Sequence, residues 1–303
     1  RAAFAICYYL EYLKEIPMEI PEVYKLDYEK QNEHFVDFLH WLKAGNHKQD
    51  NNLRAINNGT CNAYLEDVFR FYLFVEAEYE QLGSLKVLSY NYHVAANAVG
   101  VQKKLRYQSF KGYLKAEERN VRPAEHEEIL TILQACTNCR DQLLILLIAE
   151  TGFRIGEILG VDYIHDIDYQ HHMIGVYFRE DNDNDARAKN AEYRKAKISD
   201  DAYEFLMYYL AEYRELLQYQ RFLFINITGK TAGQPLKVDS VYDMLNRMEK
   251  KTEIDLTPHM LRRYFANMRR KAGWRLELIQ QALGHMHIDT TIKYLNIVDD
   301  ELL

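Results

Sequence analysis

Apolar residues recur at helical spacing through the first part of this chain, and this periodicity limits its fold more than any other feature. In the stretch "EHFVDFLHWLKAG", Phe35, Phe38, Leu39 and Leu42 follow one another at intervals of three and four residues, so they share one face of a helix. The stretch "TCNAYLEDVFRFYLFVEAEY" repeats the pattern. Residues 1 to about 90 are therefore predicted to form helices of a small all-helical domain.

The periodicity fails after this domain, between Leu82 and Arg122, where positive charge accumulates. Such a change in composition is typical of a linker. Helical patterns return after Pro123. The sequence therefore predicts three regions: a helical domain at residues 1–99, a basic linker at 100–122 and a second domain at 123–303.

The second domain is predicted to be mainly α-helical with a small β-sheet. A strongly apolar helix contains "LLILLIA" and is stopped by Gly152, and a helical pattern resumes at "DDAYEFLMYYLAEY". Between these helices, "MIGVYF" and "YRKAKIS" are short β-like runs on either side of a polar loop. This arrangement indicates a hairpin or a small sheet.

No part of the sequence is predicted to enter a membrane. "LLILLIA" is the longest apolar run, whereas a membrane-spanning helix needs about 20 such residues. No N-terminal stretch has the basic-then-apolar order of a signal peptide. The chain has 303 residues, of which 48% are hydrophobic, so it can bury a core in each of two domains. These features predict a soluble cytoplasmic protein.

The cysteines predict neither a disulfide framework nor a metal site. Four cysteines are too few to hold 303 residues together by disulfides. Cys136 and Cys139 form a single CxxC pair, and no second pair of ligands has the spacing that a structural zinc ion requires. We therefore expect ordinary thiols and no bound metal.

Positive charge is concentrated in two segments of a chain whose formal net charge is −7. Residues 100–123 carry seven basic and two acidic residues, and residues 259–275 carry six basic residues and no acidic one. Local fields of this kind can hold phosphates, although a charge run is also typical of a solvated surface. For a DNA partner, the candidate binding residues are Lys103, Lys104, Arg106, Lys111 and Arg263.

Two helix starts combine groups that can bind and transform a phosphate. Arg154 lies two residues after Gly152 in "TGFRIGEILG", and Glu157 lies one turn later, where it can support the arginine or simply form a surface ion pair. His259 and Arg262 share the first turn of a helix that begins with "TPH". An imidazole and a guanidinium aimed together supply a proton acceptor and an oxyanion clamp. A capped surface helix with one satisfied histidine would show the same pattern.

The stretch "ALGHMHIDTTIKYL" adds a histidine and a tyrosine. Gly284 ends one helix, and His285 follows at the turn, where it either caps the helix or points away from the core. Tyr294 lies in the next short helix. A phenol has a pKa near ~10, so it becomes a nucleophile at neutral pH only when cations stabilise phenolate and a base removes the proton. Packing is the alternative role in a chain with 24 tyrosines.

Taken in order, Arg154, His259, Arg262, His285 and Tyr294 and the stretches around them resemble the tyrosine recombinase family, also called phage integrases. The similarity covers about residues 120–298. It implies a mainly helical catalytic domain with a small sheet, preceded by a helical core-binding domain, and a C-shaped clamp on double-stranded DNA. It also implies no metal and no other cofactor, because the energy of the phosphodiester is kept in a covalent bond.

The resemblance implies a role for each of these residues. Tyr294 would attack the scissile phosphate and form a 3′-phosphotyrosyl bond with release of a 5′-hydroxyl. Arg154 and Arg262 would hold the non-bridging oxygens. His259 would act as the base toward the tyrosine, and His285 would support the phosphate by a hydrogen bond.

The family also uses a lysine in the turn of the small sheet as general acid toward the leaving 5′-oxygen. Lys189 is the matching position, although the acidic lead-in "EDNDND" departs from the usual glycine-flanked turn. Lys195 and Lys197 are the nearest alternatives. The resemblance further implies a homotetramer on two DNA sites, with accessory DNA-bending or recombinase partner proteins as possible additions.

The first domain departs from the family because residues 1–99 carry nine basic and fourteen acidic residues. Such a specialised domain favours a mobile-element integrase or transposase over an enzyme that resolves chromosome dimers. Two alternatives stay open. "RLELIQQALGHMHIDTTIKYL" also has the form of a helix-turn-helix DNA-binding regulator, and a type IB topoisomerase would share the fold and the phosphotyrosine chemistry.

Overall fold

The computed structural model describes residues 1–47, 56–79, 84–96, 102–108, 110–115, 117, 121–176 and 193–295, with the backbone alone for 90–96 and 102–108. The chain falls into two compact units, Arg1–Arg119 and Asn120–Leu303. Each unit has its own hydrophobic core. The predicted general acid Lys189 lies outside the described residues, as do the side chains of Lys103, Lys104 and Arg106.

Helices form most of the described part of the first unit, as the apolar periodicity predicts. In its described part they are α1 (Ala2–Glu15), α2 (Ile20–Lys25), α3 (Tyr28–Ala44) and α4 (Asn58–Glu78). Helix α3 begins after Asp27, whose carboxylate accepts from the backbone N–H of Lys30 at 2.9 Å, and ends at Gly45 with a φ of 86°. The apolar faces of α1, α3 and α4 share a core rich in aromatic rings.

An antiparallel hairpin follows these helices in the first unit, after a 3-10 turn at Lys86–Leu88. Strand β1 (Tyr90–Ala96) pairs with β2 (Gln102–Gln108). The loss of helical periodicity here therefore marks strands, and the predicted linker at residues 100–122 contains β2. Lys103, Lys104 and Arg106 lie on that strand. The compact unit extends to Arg119, whereas the sequence placed the end of the first domain at residue 99.

The second unit is mainly helical with a small sheet, which confirms the predicted fold class. Its sheet contains β3 (Ile167–Asp168), β4 (Met173–Val176) and β5 (Arg194–Lys197), in that order and with antiparallel pairing. A 3-10 turn occupies Gly229–Thr231. The helices are α5 (His126–Ala135), α6 (Cys139–Thr151), α7 (Ile155–Leu159), α8 (Asp200–Glu212), α9 (Arg214–Leu217), α10 (Val238–Thr252), α11 (Pro258–Lys271), α12 (Leu276–Leu283) and α13 (Ile288–Tyr294).

Helix α6 is the centre of this unit and carries the apolar run that the sequence marks as buried. Leu143, Leu144 and Leu147 on α6 are 0% exposed. Helix α11 packs against it and begins where the Thr257 hydroxyl accepts from the backbone N–H of Met260 at 3.3 Å. The N-terminal half of α11 is therefore buried beside the C-terminal end of α6.

The described ranges contain no helix that is both long and apolar enough to cross a membrane. The same parts of the chain hold no group of three or more His, Cys, Asp or Glu side chains placed to bind a metal ion. Cys136 and Cys139 are free thiols, and burial raises the pKa of Cys136 to about 12. That thiol is therefore uncharged at neutral pH.

Candidate active site

Five residues from distant parts of the sequence come together in the second unit. Arg154 directly precedes α7, His259 and Arg262 lie near the start of α11, His285 follows α12, and Tyr294 ends α13. Contacts join Arg262 to His285, His285 to Tyr294, and Tyr294 to His259. These are the five residues that the sequence predicted to form an active site.

Glu157 is the buried acidic group of this cluster, with a side chain that is 0% exposed. Its Oε1 accepts from Nη1 of Arg154 at 2.8 Å, and its Oε2 accepts from the backbone N–H of Arg154 at 2.8 Å. The second bond also caps the start of α7. The Arg154 side chain is 31% exposed, so Glu157 orients the guanidinium while one side stays open to a ligand.

Arg262 is almost completely buried, at 2% exposure, which is rare for a charged side chain. Its Nη1 donates to the carbonyl of Gly152 and its Nη2 to the carbonyl of Leu283. The Nη2 atom also lies 3.3 Å from Nε2 of His285. Burial, followed by the charge of Arg154, lowers the pKa of Arg262 to about 10, so the group stays cationic at neutral pH.

His285 is held as a neutral imidazole beside Arg262. Burial and the nearby charges of Arg262, Arg154 and Arg194 lower its pKa to about 3. Because Nε2 faces an arginine N–H, it must accept, and the proton is then on Nδ1, 3.0 Å from the Thr291 hydroxyl. In this arrangement His285 contacts Arg262, and its predicted hydrogen bond to phosphate stays a prediction.

Tyr294 is held by contacts on its ring and on its hydroxyl. Its Oη donates to the backbone carbonyl of His259 at 3.3 Å, and its ring meets the His285 ring edge-on at 5.3 Å between centroids. Burial raises the pKa of Tyr294, while the charges of Arg262 and Arg263 oppose this effect. The phenol is therefore protonated at neutral pH, and a base is needed before it can act as a nucleophile.

Arg263 is packed against the predicted nucleophile. The residue is 8% exposed, and its guanidinium carbon lies 4.7 Å from the centroid of the Tyr294 ring. The sequence predicted Arg263 to contact DNA, and that role stays a prediction for a side chain that already covers the tyrosine. Lys111, another predicted DNA contact, is exposed in the first unit.

His259 lies where α11 begins, next to the hydroxyl of Tyr294. Partial burial of the imidazole is the main cause that lowers its pKa below 6.5, and the positive charges of Arg262, Arg154 and Arg263 add to this effect. The ring is thus neutral at neutral pH and able to accept a proton. The residue remains exposed, so a ligand can reach it.

Arg194 is a site residue that the sequence analysis missed. Its side chain is 9% exposed, and its Nη2 lies 2.6 Å from Oε2 of Glu157. The sequence signal that could have found Arg194 is the alternation of side chains along a strand. On β5, Arg194 and Ala196 are partly buried, while Lys195 and Lys197 are exposed. That alternation shows which residues point inward, but not which helix they meet.

Among the described residues of the cluster, positive charges outnumber negative ones. Within the described part of the chain, the guanidiniums of Arg154, Arg194 and Arg262 surround the single carboxylate of Glu157. The formal charges of these three arginines and Glu157 sum to about +2. The fork of an arginine matches the oxygens of a phosphate, and the side of Arg154 that stays exposed can meet such an anion.

Comparisons with known proteins give matches to one family and to several of its members. Residues 119–301 match the phage integrase family. Transposase A from transposon Tn554 of Staphylococcus aureus is 32% identical over 98% of this chain and 83% of its own length. Tyrosine recombinase XerA of Saccharolobus solfataricus is 33% identical over 62% of this chain and 56% of its own length.

Solved structures show the same fold. The integrase of transposon Tn1549 in complex with transposon right end DNA superposes with a TM-score of 0.62 at 17% identity, over 89% of this chain and 82% of that protein. A lambda integrase dimer bound to a COC′ core site gives a TM-score of 0.57 at 16% identity, over 87% and 79%. The chain belongs to the phage integrase family and is a tyrosine recombinase of the mobile-element type, an enzyme that transfers DNA strands.

Proposed function

We propose that this chain cuts and rejoins double-stranded DNA through a 3′-phosphotyrosine bond at Tyr294 during integration, excision or transposition of a mobile element. One observation carries the proposal: the Tyr294 hydroxyl donates to the backbone carbonyl of His259, in a cluster where three arginines surround the buried carboxylate of Glu157. The Tn554 transposase and the Tn1549 integrase, both proteins of transposons, support the mobile-element role.

The cleavage step assigns one task to each group. Arg154 and Arg262 hold the two non-bridging oxygens of the scissile phosphate, where negative charge is greatest in the transition state. The neutral imidazole of His259 takes the proton of the phenol, and the oxygen of Tyr294 forms a bond to phosphorus. The bond from phosphorus to the 5′-oxygen breaks, and this oxygen leaves with a proton from a general acid. His285 keeps Arg262 in place.

Rejoining reverses the same step with a 5′-hydroxyl from another strand. That hydroxyl attacks the phosphotyrosine and gives its proton to the group that acted as the acid, and Tyr294 leaves with a proton from His259. One phosphodiester is formed for each phosphotyrosine consumed. The exchange therefore needs neither ATP nor a metal ion.

The general acid is assigned to Lys189 on the resemblance of its sequence position alone, with Lys195 and Lys197 as alternatives. A lysine can fill this role because its flexible stem reaches the leaving oxygen and its pKa falls when water is excluded. Both alternatives lie on β5 and are exposed. Lys195 follows directly on Arg194, so β5 brings this end of the strand close to the arginine cluster.

Binding to DNA is assigned to the basic residues outside the cluster. Lys103, Lys104 and Arg106 on β2 and Lys111 after it would contact phosphates, while Arg263 supports Tyr294 from inside the fold. The DNA complexes of the Tn1549 and lambda integrases support a DNA partner. A homotetramer on two DNA sites, accessory DNA-bending proteins and the absence of a cofactor are further parts of the proposal.

The proposal is tested with a randomised library of nicked duplexes, from which the short strand diffuses away after cleavage and so traps the adduct. Wild type and Tyr294→Phe are incubated with the library, denatured in SDS, and the attached DNA is sequenced. We expect an enriched sequence with wild type and no adduct with Tyr294→Phe, although that variant still binds DNA. An equal amount of adduct from both proteins would contradict the proposal.

A plasmid assay separates recombination from the two alternatives. A plasmid that carries two copies of the enriched sequence should yield recombined products with wild type. Relaxation of supercoils from a single copy, without exchange between copies, would indicate a type IB topoisomerase. Selective binding with neither cleavage nor exchange would indicate a helix-turn-helix regulator.

A further inference from the structure

Arg194 and Arg262 bridge the same two parts of the second unit. Nη2 of Arg194 lies 2.6 Å from Oε2 of Glu157, and Nη1 donates to the carbonyl of Ala282 at 3.2 Å. Nη1 of Arg262 lies 3.9 Å from the same Oε2, and Nη2 donates to the carbonyl of Leu283. Both guanidiniums therefore connect α7 to the C-terminal end of α12.

The two bridges differ in their distance from the carboxylate. Arg194 is within hydrogen-bonding distance of Oε2, whereas Arg262 is not. Because the Coulomb energy of two charges falls with distance, the charge of Oε2 is balanced mainly by Arg194. Arg262 keeps its N–H groups directed at carbonyls and at His285.

We propose that Arg194 is a positioning residue for cleavage: it neutralises Glu157 so that Arg262 stays available to the phosphate, and it fixes the end of α12 from which His285 follows. This inference rests on the proposed function, in which Arg262 clamps the phosphate. Without Arg194, a fully buried carboxylate loses its closest counter-ion. Glu157 would then draw Arg262 toward α7 and away from the phosphate.

The surroundings of Arg194 fit this role. Its guanidinium carbon lies 5.7 Å from the centre of the Phe153 ring, and its backbone is fixed in the sheet opposite Val176. Gly284 leaves room for the side chain, because a Cβ at residue 284 would overlap Nη1 of Arg194. The glycine before His285 is therefore matched to the arginine on β5.

The test uses the DNA sequence that wild-type protein enriches from the randomised library. It measures the rate of adduct formation at saturating DNA and, separately, the affinity for DNA. Arg194→Met keeps an apolar stem and removes the charge, and Arg247→Met, at an exposed arginine on α10, is the matched control. We expect Arg194→Met to slow adduct formation by about 10²-fold, the scale of a misplaced oxyanion clamp. The affinity of Arg194→Met for DNA and the rate of Arg247→Met should stay near wild type.

A second substitution separates this role from simple loss of structure. Glu157→Gln removes the charge that Arg194 balances and keeps one of the two oxygens that accept from Arg154. Arg194→Met combined with Glu157→Gln should therefore react faster than Arg194→Met alone, and Arg194→Lys, which retains the charge, should be less impaired than Arg194→Met. Arg194→Gln offers a second uncharged variant if Arg194→Met unfolds below the assay temperature.

Two results would overturn the inference while leaving the proposed function intact. One is an uncharged Arg194 variant that reacts at the wild-type rate. The other is a double variant slower than the single one, because purely structural damage accumulates with each substitution. Failure of the proposed function gives a different result, in which wild type itself forms no adduct, and the inference then falls with it.

Discussion

At the scale of single residues, burial and neighbouring charge set the protonation states on which cleavage depends. Burial raises the pKa of Tyr294, and the pKa of His259 lies below 6.5. At neutral pH the site therefore pairs a protonated nucleophile with a neutral base. This combination is what a proton transfer from phenol to imidazole requires.

The lowered pKa of His259 predicts how cleavage depends on pH. A base is active in its neutral form, so cleavage should have an acidic limb, in which the rate falls as pH drops through the lowered pKa. Measurement at subsaturating DNA reports the groups of the free protein. The acidic limb should therefore have its midpoint below 6.5, and His259→Gln should lose that limb. A midpoint above 6.5, or an unchanged limb in His259→Gln, would exclude His259 as the base.

The general acid can be identified with a substrate that needs no acid. A duplex with sulfur in place of the bridging 5′-oxygen has a leaving group that departs without protonation. Lys189→Ala should cleave the ordinary duplex slowly and the sulfur duplex at close to the wild-type rate. Rescue at Lys195→Ala or Lys197→Ala, and none at Lys189→Ala, would transfer the role to that lysine.

The sequence predicted the cluster residues that occur in local motifs, but it could not predict Arg194. The residue stands between a polar loop and an alternating strand, and nothing near it in the sequence marks it as functional. Its contact with Glu157 and Ala282 depends on how β5 packs against α7 and α12, which is a tertiary property. Glu157 was recognised because it lies one helical turn from Arg154.

At the scale of elements, strongly periodic segments were predictable and the β1–β2 hairpin was not. Strands β4 and β5 lie within two short runs that the sequence marks as strands. The hairpin Tyr90–Gln108 was assigned in part to a linker, because its charged second strand resembles a solvated loop. Strand pairing decided the structure there, and pairing partners cannot be read from one strand alone.

The turn after α12 gives a prediction about this element. Gly284 has a φ of 61°, and an alanine there would bear about 1–2 kcal/mol of backbone strain and would also displace Arg194. Gly273 has a φ of 81° and open space within 4 Å of the position that a Cβ would take, so Gly273→Ala carries the strain alone. We expect Gly284→Ala to lower the melting temperature and the adduct rate more than Gly273→Ala. Equal losses would show that the contact with Arg194 contributes nothing.

At the scale of the whole molecule, charge is divided unevenly between segments. Residues 1–99 carry nine basic and fourteen acidic residues, whereas residues 100–123 carry seven basic and two acidic ones. A surface of this kind cannot bind DNA through a uniform positive field. Attraction to phosphates is therefore expected to come from the basic segment, separately from the chemistry of the arginine cluster.

Salt dependence tests this division of work. Replacement of Lys103, Lys104 and Arg106 by alanine should reduce the slope of log affinity against log salt by about 0.9 for each lost phosphate contact. The rate of adduct formation at saturating protein should not change. The control replaces Lys14, Lys25 and Lys30 by alanine. These exposed residues belong to the acidic segment 1–99, and their replacement removes the same number of positive charges. An equal slope change in both triple variants would show that net charge alone governs binding.

The most direct measurement of the central claim is the identity of the residue that becomes attached to DNA. Wild-type protein is trapped on the enriched nicked duplex, digested with trypsin and nuclease, and the nucleotide-bearing peptide is sequenced by mass spectrometry. The account predicts a single modified residue, Tyr294, joined to a 3′-phosphate. Attachment at any other residue, or at a 5′-phosphate, would contradict it.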